Sequence, residues 1–331
     1  MNETKEILSN TSPVSGNQSA LEPKPGINRR AFLQTTTALA AGAGLSSSAF
    51  GQMCPPKSGT VRDRIWIFAN PVNADFNYVR KRSVMSPLEA AVYMGAPNLL
   101  MVNQYPGSNE HNVYKAWEPP LEQYAYPLKV LKRVVWSIVG ASGITKDEER
   151  QEVLKLAHEI SNIVGVFMDD FFHDNPAENK GSLSLDQLQE IQRQLKGPAK
   201  KLDLYVTLYT RQVTPAIQEY LKLIDVITLW TWETAEIANL EANLTRLEKL
   251  APHSRKLLGC YTAEYDQKRT PWWTPMPVPL MQKQCETGLR WLQQGRIEGI
   301  IIYGTAMDLN WPSVEWARSW IQKVGDIKLP P

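Results

Sequence analysis

Two adjacent acids, Asp169 and Asp170, close the almost wholly apolar run Val164-Gly165-Val166-Phe167-Met168 and are the sharpest chemical signal in the chain. At least one of the two is expected to be catalytic, since a carboxyl at a strand end can serve as a nucleophile or in proton transfer. Further acids follow other apolar runs: Glu233 after Trp230-Thr231-Trp232, Glu264 and Asp266 after Tyr261, and Asp308 after Tyr303. Interleaved with them are Asn70, Gln104, Tyr105, Tyr209, Trp230, Trp232, Tyr261, Tyr303 and Trp311, with Arg211 as a cation. Aromatic faces stack on the apolar faces of pyranose rings, and carboxylates, amides and guanidinium groups bind hydroxyls, so this mixture suits a carbohydrate. Two carboxyls flanking a glycosidic bond can then divide acid and base or nucleophile duties. Asp170, Asp169, Glu233 and Glu264 form the candidate catalytic set; the remaining residues, with Asp266 and Asp308, are candidate substrate contacts.

Plainer roles compete for each position. Asp170 could cap a turn, Asp169 could pair with Arg211, and Glu233 could be a first-turn acid at a helix N-terminus. Glu264, Asp266, Asp308 and Trp311 fit hydroxyl binding at least as well as proton transfer. His173, close to Asp169 and Asp170, raises a metal-assisted sugar isomerase or lyase as a second class, with Asp169, Asp170, His173, Glu233 and Glu264 as ligands. A non-catalytic carbohydrate-binding barrel is the third, since it would keep the aromatics without needing the acids. The primary reading calls for no cofactor and no resident metal. Trp272-Trp273, set among Pro271, Pro275, Pro277 and Pro279, reads as a stiff loop that could pack on a rim or serve as a sugar platform.

The candidates share one placement: each follows a short β-rich run. Strands are predicted over 65–68, 98–102, 134–138, 163–168, 204–208, 226–230, 257–261 and 299–303. Ser86-Pro87-Leu88-Glu89, Thr145-Lys146-Asp147-Glu148 and Ser184-Leu185-Asp186-Gln187 each fit a helix capping box. Only the connection from Gln104 to Lys129 lacks a clear helix. Strand–helix alternation without hairpin signals implies a parallel sheet with crossover helices. Eight such units match an α/β fold, a single-domain (β/α)8 TIM barrel over 62–325. An open doubly wound sheet would place a glycine-rich loop after its first strand, where this chain has Asn70-Pro71-Val72-Asn73. Helix-to-strand connections are short, whereas several strand-to-helix connections are long, which puts the site at the C-terminal face. In strand four, Gly165, Phe167 and Asp169 should face the lumen and Asp170 the rim.

Composition narrows the partners. With 331 residues and a net charge of +2, the chain has no basic footprint for nucleic acid. No apolar run reaches the ~18 residues of a spanning helix, so no stable membrane span is expected in the mature form. The three cysteines cannot build a disulfide framework. Ahead of the barrel, a polar leader precedes Asn28-Arg29-Arg30-Ala31-Phe32-Leu33-Gln34 and a weakly apolar run to Phe50. This segment resembles a twin-arginine export signal, with Ala49-Phe50-Gly51 as a small-x-small cleavage pattern. The expected organisation is therefore a signal over 1–51, a linker over 52–61, the barrel over 62–325 and a tail over 326–331. The resemblance implies the twin-arginine translocation machinery as a partner and a periplasmic or secreted destination.

Taken with its strand-end acids and aromatics, the mature chain resembles the exported (β/α)8 glycoside hydrolases at superfamily level. Its valine-rich strand four ending in Asp, with an acid after strand six, is similar to the α-galactosidase-type arrangement. That resemblance implies Asp169 or Asp170 as nucleophile and Glu233 as proton donor. The chain lacks the strand-four Glu of barrels with paired glutamates, and it lacks the Asp-x-x-Asp-x-Asp-x-Glu signature of chitinase-like barrels.

Overall fold

Apolar runs of five or so residues, too short for helices and buried on both faces, are what a parallel barrel strand requires. In the computed structural model these runs form strands β1 Ile65–Ala69, β2 Asn98–Met101, β3 Arg133–Val139, β4 Ile163–Met168, β5 Asp203–Tyr209, β6 Val226–Trp230, β7 Arg255–Cys260 and β8 Gly299–Tyr303. All pair in parallel with their sequence neighbours, and β8 closes on β1, giving a complete (β/α)8 barrel. The structure describes residues 59–330 apart from positions 73, 75, 104–119, 174–180, 199 and 305–306. The export signal at Arg29-Arg30 and the candidate contacts Gln104 and Tyr105 lie outside the described residues. No helix among the described residues is long and apolar enough to cross a membrane.

The crossover helices are α1 Pro87–Met94, α2 Glu122–Leu128, α3 Asp147–Glu159, α4 Leu185–Leu195, α5 Gln218–Leu221, α6 Leu240–Leu250, α7 Val278–Gln293 and α8 Pro312–Val324. Ser86 with Glu89 and Ser184 with Gln187 form reciprocal capping boxes that start α1 and α4. The box expected at Thr145 does not form. Helix α3 begins one residue later, after Lys146, and the Thr145 hydroxyl instead donates to the Ile138 carbonyl at 2.7 Å. Asp147, Glu148 and Glu149 then occupy the first turn, where carboxylates offset the exposed N–H dipoles. A second correction concerns the connection after β2, which does hold a helix. Its α2 buries only Ala125 and Leu128 and contains Pro127, too narrow a stripe to register as a period. Gly59–Thr60 and Lys328–Leu329, placed by sequence in the linker and the tail, pair as an antiparallel ribbon.

Rings from opposite strands meet inside the barrel, so its lumen is filled. Trp66 on β1 lies 6.2 Å from Tyr205 on β5, and Phe68 lies 5.9 Å from Phe167 on β4 and 5.3 Å from Trp230 on β6. Glycines make this possible by yielding their side-chain space. A Cβ on Gly259 would sit 2.1 Å from the Trp230 ring, and one on Gly165 would sit 2.8 Å from the Tyr205 ring. The N-terminal mouth is closed by charge: Arg133 packs 4.5 Å over Trp66 and donates to Asn98, and Arg255 pairs with Asp203 at 2.6 Å. With that end plugged, the C-terminal face is where the strand-end acids and aromatics gather.

Candidate active site

The β4 terminus behaves as alternation requires. Phe167 points into the lumen against Phe68, and Asp169 follows two residues later on the same face, buried to 6% exposure. Its Oδ1 accepts a hydrogen bond from Thr207 Oγ1 on β5 at 2.8 Å, the next rung after the Phe167–Tyr205 pairing. Burial, and then the neighbouring Asp170 charge, hold the Asp169 carboxyl well above the usual carboxylate range.

Asp170 leaves the strand. Its φ of 44° lies in the left-handed region, which Asp tolerates better than most residues. This turn sends its half-buried carboxylate toward both neighbouring loops. Oδ1 accepts from the Tyr209 hydroxyl at 2.5 Å, and Oδ2 accepts from the Ser142 backbone N–H at 2.8 Å. Gly143 lets the loop after β3 come this close, since a Cβ there would lie 2.8 Å from the Asp170 carbonyl oxygen. Asp170 and Ser142, two non-glycine residues in left-handed backbone, meet in this one contact, the kind of stored strain that clusters at working sites.

Tyr209, at the end of β5, links this acid pair to the aromatics. The Arg211 guanidinium lies 4.5 Å over its ring, so the cation expected beside the carboxylates packs on the phenol that holds Asp170. Tyr261, just after β7, meets Trp232 edge-on at 5.6 Å, as Tyr209 does at 5.8 Å. Burial, and then the acid pair, push both phenols well above their ordinary range, so each remains a proton donor. Trp232 meets Tyr209 edge-on at 5.8 Å and Tyr265 at 4.6 Å. Tyr303 stacks on Phe68 at 5.2 Å and accepts a hydrogen bond from Asn70 at 3.2 Å. Tyr209, Tyr261, Trp232, Tyr303 and Asn70 are thus gathered with the acid pair at one mouth. Trp230 is 1% exposed, donates through Nε1 to Thr228 and lies beneath the others. It is the floor of this cluster, and no ligand face is left to it.

The other acids sit differently. Glu233 is exposed at the N-terminal end of the turn Thr234–Asn239, with Trp230 buried below and Trp232 turned toward Tyr209 and Tyr265. Glu264 pairs with Arg269 at 2.8 Å across an antiparallel hairpin, Ala263–Tyr265 with Trp273–Pro275, that follows β7. Asp266 accepts from the Lys268 backbone N–H and tightens the tip of that hairpin. Asp308 accepts from Ser83 Oγ at 2.6 Å and from the Val84 N–H at 2.7 Å, pinning the segment before α1. Trp311 is buried and precedes α8, where its carbonyl receives the Val314 and Glu315 N–H groups. Glu264, Asp266, Asp308 and Trp311 therefore carry contacts that build the rim. His173 is exposed, and among the described residues no three His, Cys, Asp or Glu side chains converge as a metal-binding group. Sequence reasoning missed Ser142, which holds Asp170; a Ser-Gly pair shortly after a strand was the available signal.

No protein-family model matches the chain, and no curated protein matches it in sequence. Solved structures do match in shape. The spore cortex-lytic enzyme SleL of Bacillus megaterium QM B1551 aligns with a TM-score of 0.50 at 11% identity, over 82% of this chain and 76% of that one. The active domain 2 of a thermostable chitinase from Pyrococcus furiosus, complexed with chito-oligosaccharides, gives 0.47 at 15% identity, over 80% and 95%. A GH128 endo-β-1,3-glucanase from Amycolatopsis mediterranei, in complex with laminaritriose, gives 0.44 at 13% identity, over 78% and 99%. At 11% identity the likeness to SleL shows the fold.

Proposed function

We propose that the protein is a carbohydrate-active enzyme, a glycoside hydrolase whose reacting groups are the Asp169–Asp170 pair at the C-terminal mouth of the barrel. The observation that carries this reading is the division of labour within the pair. Asp170 is accessible and oriented by two donors, as a nucleophile or general base must be. Asp169 is buried beneath it, where burial and then the neighbouring Asp170 carboxyl raise its pKa well above the usual carboxylate range, as a proton donor requires. In this reading Asp170 acts at the anomeric carbon and Asp169 supplies the proton for the departing oxygen. Glu233, exposed on the rim two strands away, is the alternative donor.

The test is release of reducing ends from soluble glucan, chitin and xylan oligosaccharides by the purified protein and three variants. Asp170→Asn should lower turnover by at least ~10²-fold with binding retained, and Asp169→Asn should do the same. Glu233→Gln should stay within a few-fold of wild type; if it alone abolishes turnover, the donor is Glu233. Near wild-type rates in both Asn variants would remove the pair from the mechanism. Binding without turnover in the wild-type protein would make it a carbohydrate-binding barrel. We also propose twin-arginine export, resting on Arg29-Arg30 and the polar leader. Changing both arginines to lysine should trap precursor in the cytoplasm, and export of the double variant at normal yield would refute it.

A further inference from the structure

Among the described residues, one row of aromatic side chains leads outward from the acid pair along the rim. From Tyr209, whose hydroxyl holds Asp170, the next ring is Trp232 at 5.8 Å, then Tyr265 at 4.6 Å, then Trp272 at 6.4 Å. These residues follow β5, β6 and β7 in turn, so the row follows the rim for three strands. Exposure rises along it: Tyr209 is buried, Trp232 and Tyr265 are half-buried, and Trp272 reaches 38%. Because it continues a row of rings, the open part of Trp272 extends one apolar strip along the rim, which is the form a sugar-stacking surface takes.

The outer end of the row is held firmly. Trp272 sits where the hairpin returns, and its carbonyl accepts the Asp266 N–H at 2.8 Å. The Glu264–Arg269 ion pair, reinforced by an Arg269 bond to the Glu264 carbonyl, braces the same hairpin. Behind it, Trp273 is buried against Tyr303 at 5.1 Å, and Tyr78 from the segment after β1 lies 6.0 Å from Trp272. A ring backed by Tyr78 and Tyr265 on a braced hairpin is held as a fixed, partly exposed platform.

We infer that the mouth of the barrel is an extended cleft for a chain of several sugar residues, in which Trp272 is the outermost platform and the Asp169–Asp170 pair lies at the inner end. This inference rests on the carbohydrate reading and adds to it a polymeric substrate and a direction. A single sugar bound at the acid pair would use Tyr209 and Trp232 and leave Tyr265 and Trp272 bare. A chain would cover them in succession, gaining affinity with each ring it stacks upon.

The experiment is calorimetric binding of β-1,3-gluco-, chito- and xylo-oligosaccharides of increasing length, from disaccharide to hexasaccharide, to the wild-type protein and to Trp272→Ala and Trp272→Phe. In the series that binds, affinity should rise with length. Trp272→Ala should leave the disaccharide unchanged and weaken the longest ligand by about tenfold, and Trp272→Phe should recover most of that loss. Length-independent affinity, or equal weakening at every length in Trp272→Ala, overturns the extended cleft. Either result, with turnover still dependent on Asp170, leaves the hydrolase reading standing. Failure of every oligosaccharide to bind or be cleaved overturns both.

Discussion

Removing one oxygen atom, in Tyr209→Phe, tests whether Asp170 must be held to work. The Tyr209 hydroxyl donates to Asp170 Oδ1 at 2.5 Å, and the second anchor, the Ser142 N–H on Oδ2 at 2.8 Å, survives the change. The ring also survives, so the contacts to Trp232 at 5.8 Å and to the Arg211 guanidinium at 4.5 Å should persist. What is lost is one charge-assisted hydrogen bond, worth about 1.5–3 kcal/mol. If that energy is spent keeping the carboxylate on target in the transition state, kcat/KM should fall roughly ten- to hundredfold, most of it in kcat. Initial rates of reducing-end release over a range of substrate concentrations would show this, with thermal unfolding as the control for folding. A variant that melts with the wild type and keeps kcat/KM within twofold would refute the claim that the phenol orients a reacting group.

Asp169→Asn should stabilise the fold in a pH-dependent way. The folded carboxyl holds its proton more tightly than the unfolded one, so its contribution to stability is complete under acidic conditions and is lost as pH rises through the folded value. The variant should melt with the wild type near pH 3 and increasingly above it as pH rises, at about 2–4 °C per kcal/mol for a domain of this size; a constant gap across pH would contradict the assignment. Gly259→Ala would drive a methyl into the Trp230 ring, which Phe68 and Tyr261 already confine at 5.3 and 5.0 Å. Overpacking of this kind should cost about 3 kcal/mol, read as a lower urea midpoint, and an unchanged midpoint would mean the lumen is looser than described. Asp308→Ala removes the acceptor for Ser83 and Val84. It should cost about 1–3 kcal/mol of stability with kcat near wild type, whereas a tenfold rate loss without destabilisation would make Asp308 a substrate contact.

Period and burial made the barrel legible. β4, β6 and β8 fall where the apolar runs place them, and the rest differ only by a residue or two at their ends, because a strand buried on both faces must be apolar along its whole length. The Ser86 and Ser184 boxes were legible for a local reason, since both partners lie within four residues. Helix α2 was not, because two buried side chains around Pro127 leave no stripe to detect. At the site, the Asp169–Asp170 pair stood out by contrast with the run before it. The fates of Glu264, Asp266 and Asp308 were hidden, since an acid after a strand looks the same whether it meets a ligand or Arg269, Lys268 and Ser83. Those partners are set by hairpin and loop geometry that no spacing rule encodes. The place of Trp230 was hidden for the same reason: only its ring seated over Gly259 tells a floor from a platform.

The most direct test of the account is a crystal structure of Asp170→Asn with a bound oligosaccharide. A sugar ring should lie in contact with residue 170 beside Tyr209, with the chain continuing over Trp232 and Tyr265 toward Trp272. A sugar seated elsewhere, such as the outer groove between α6 and α7 beside Glu241, Lys283 and Arg290, with the barrel mouth unoccupied, would contradict it.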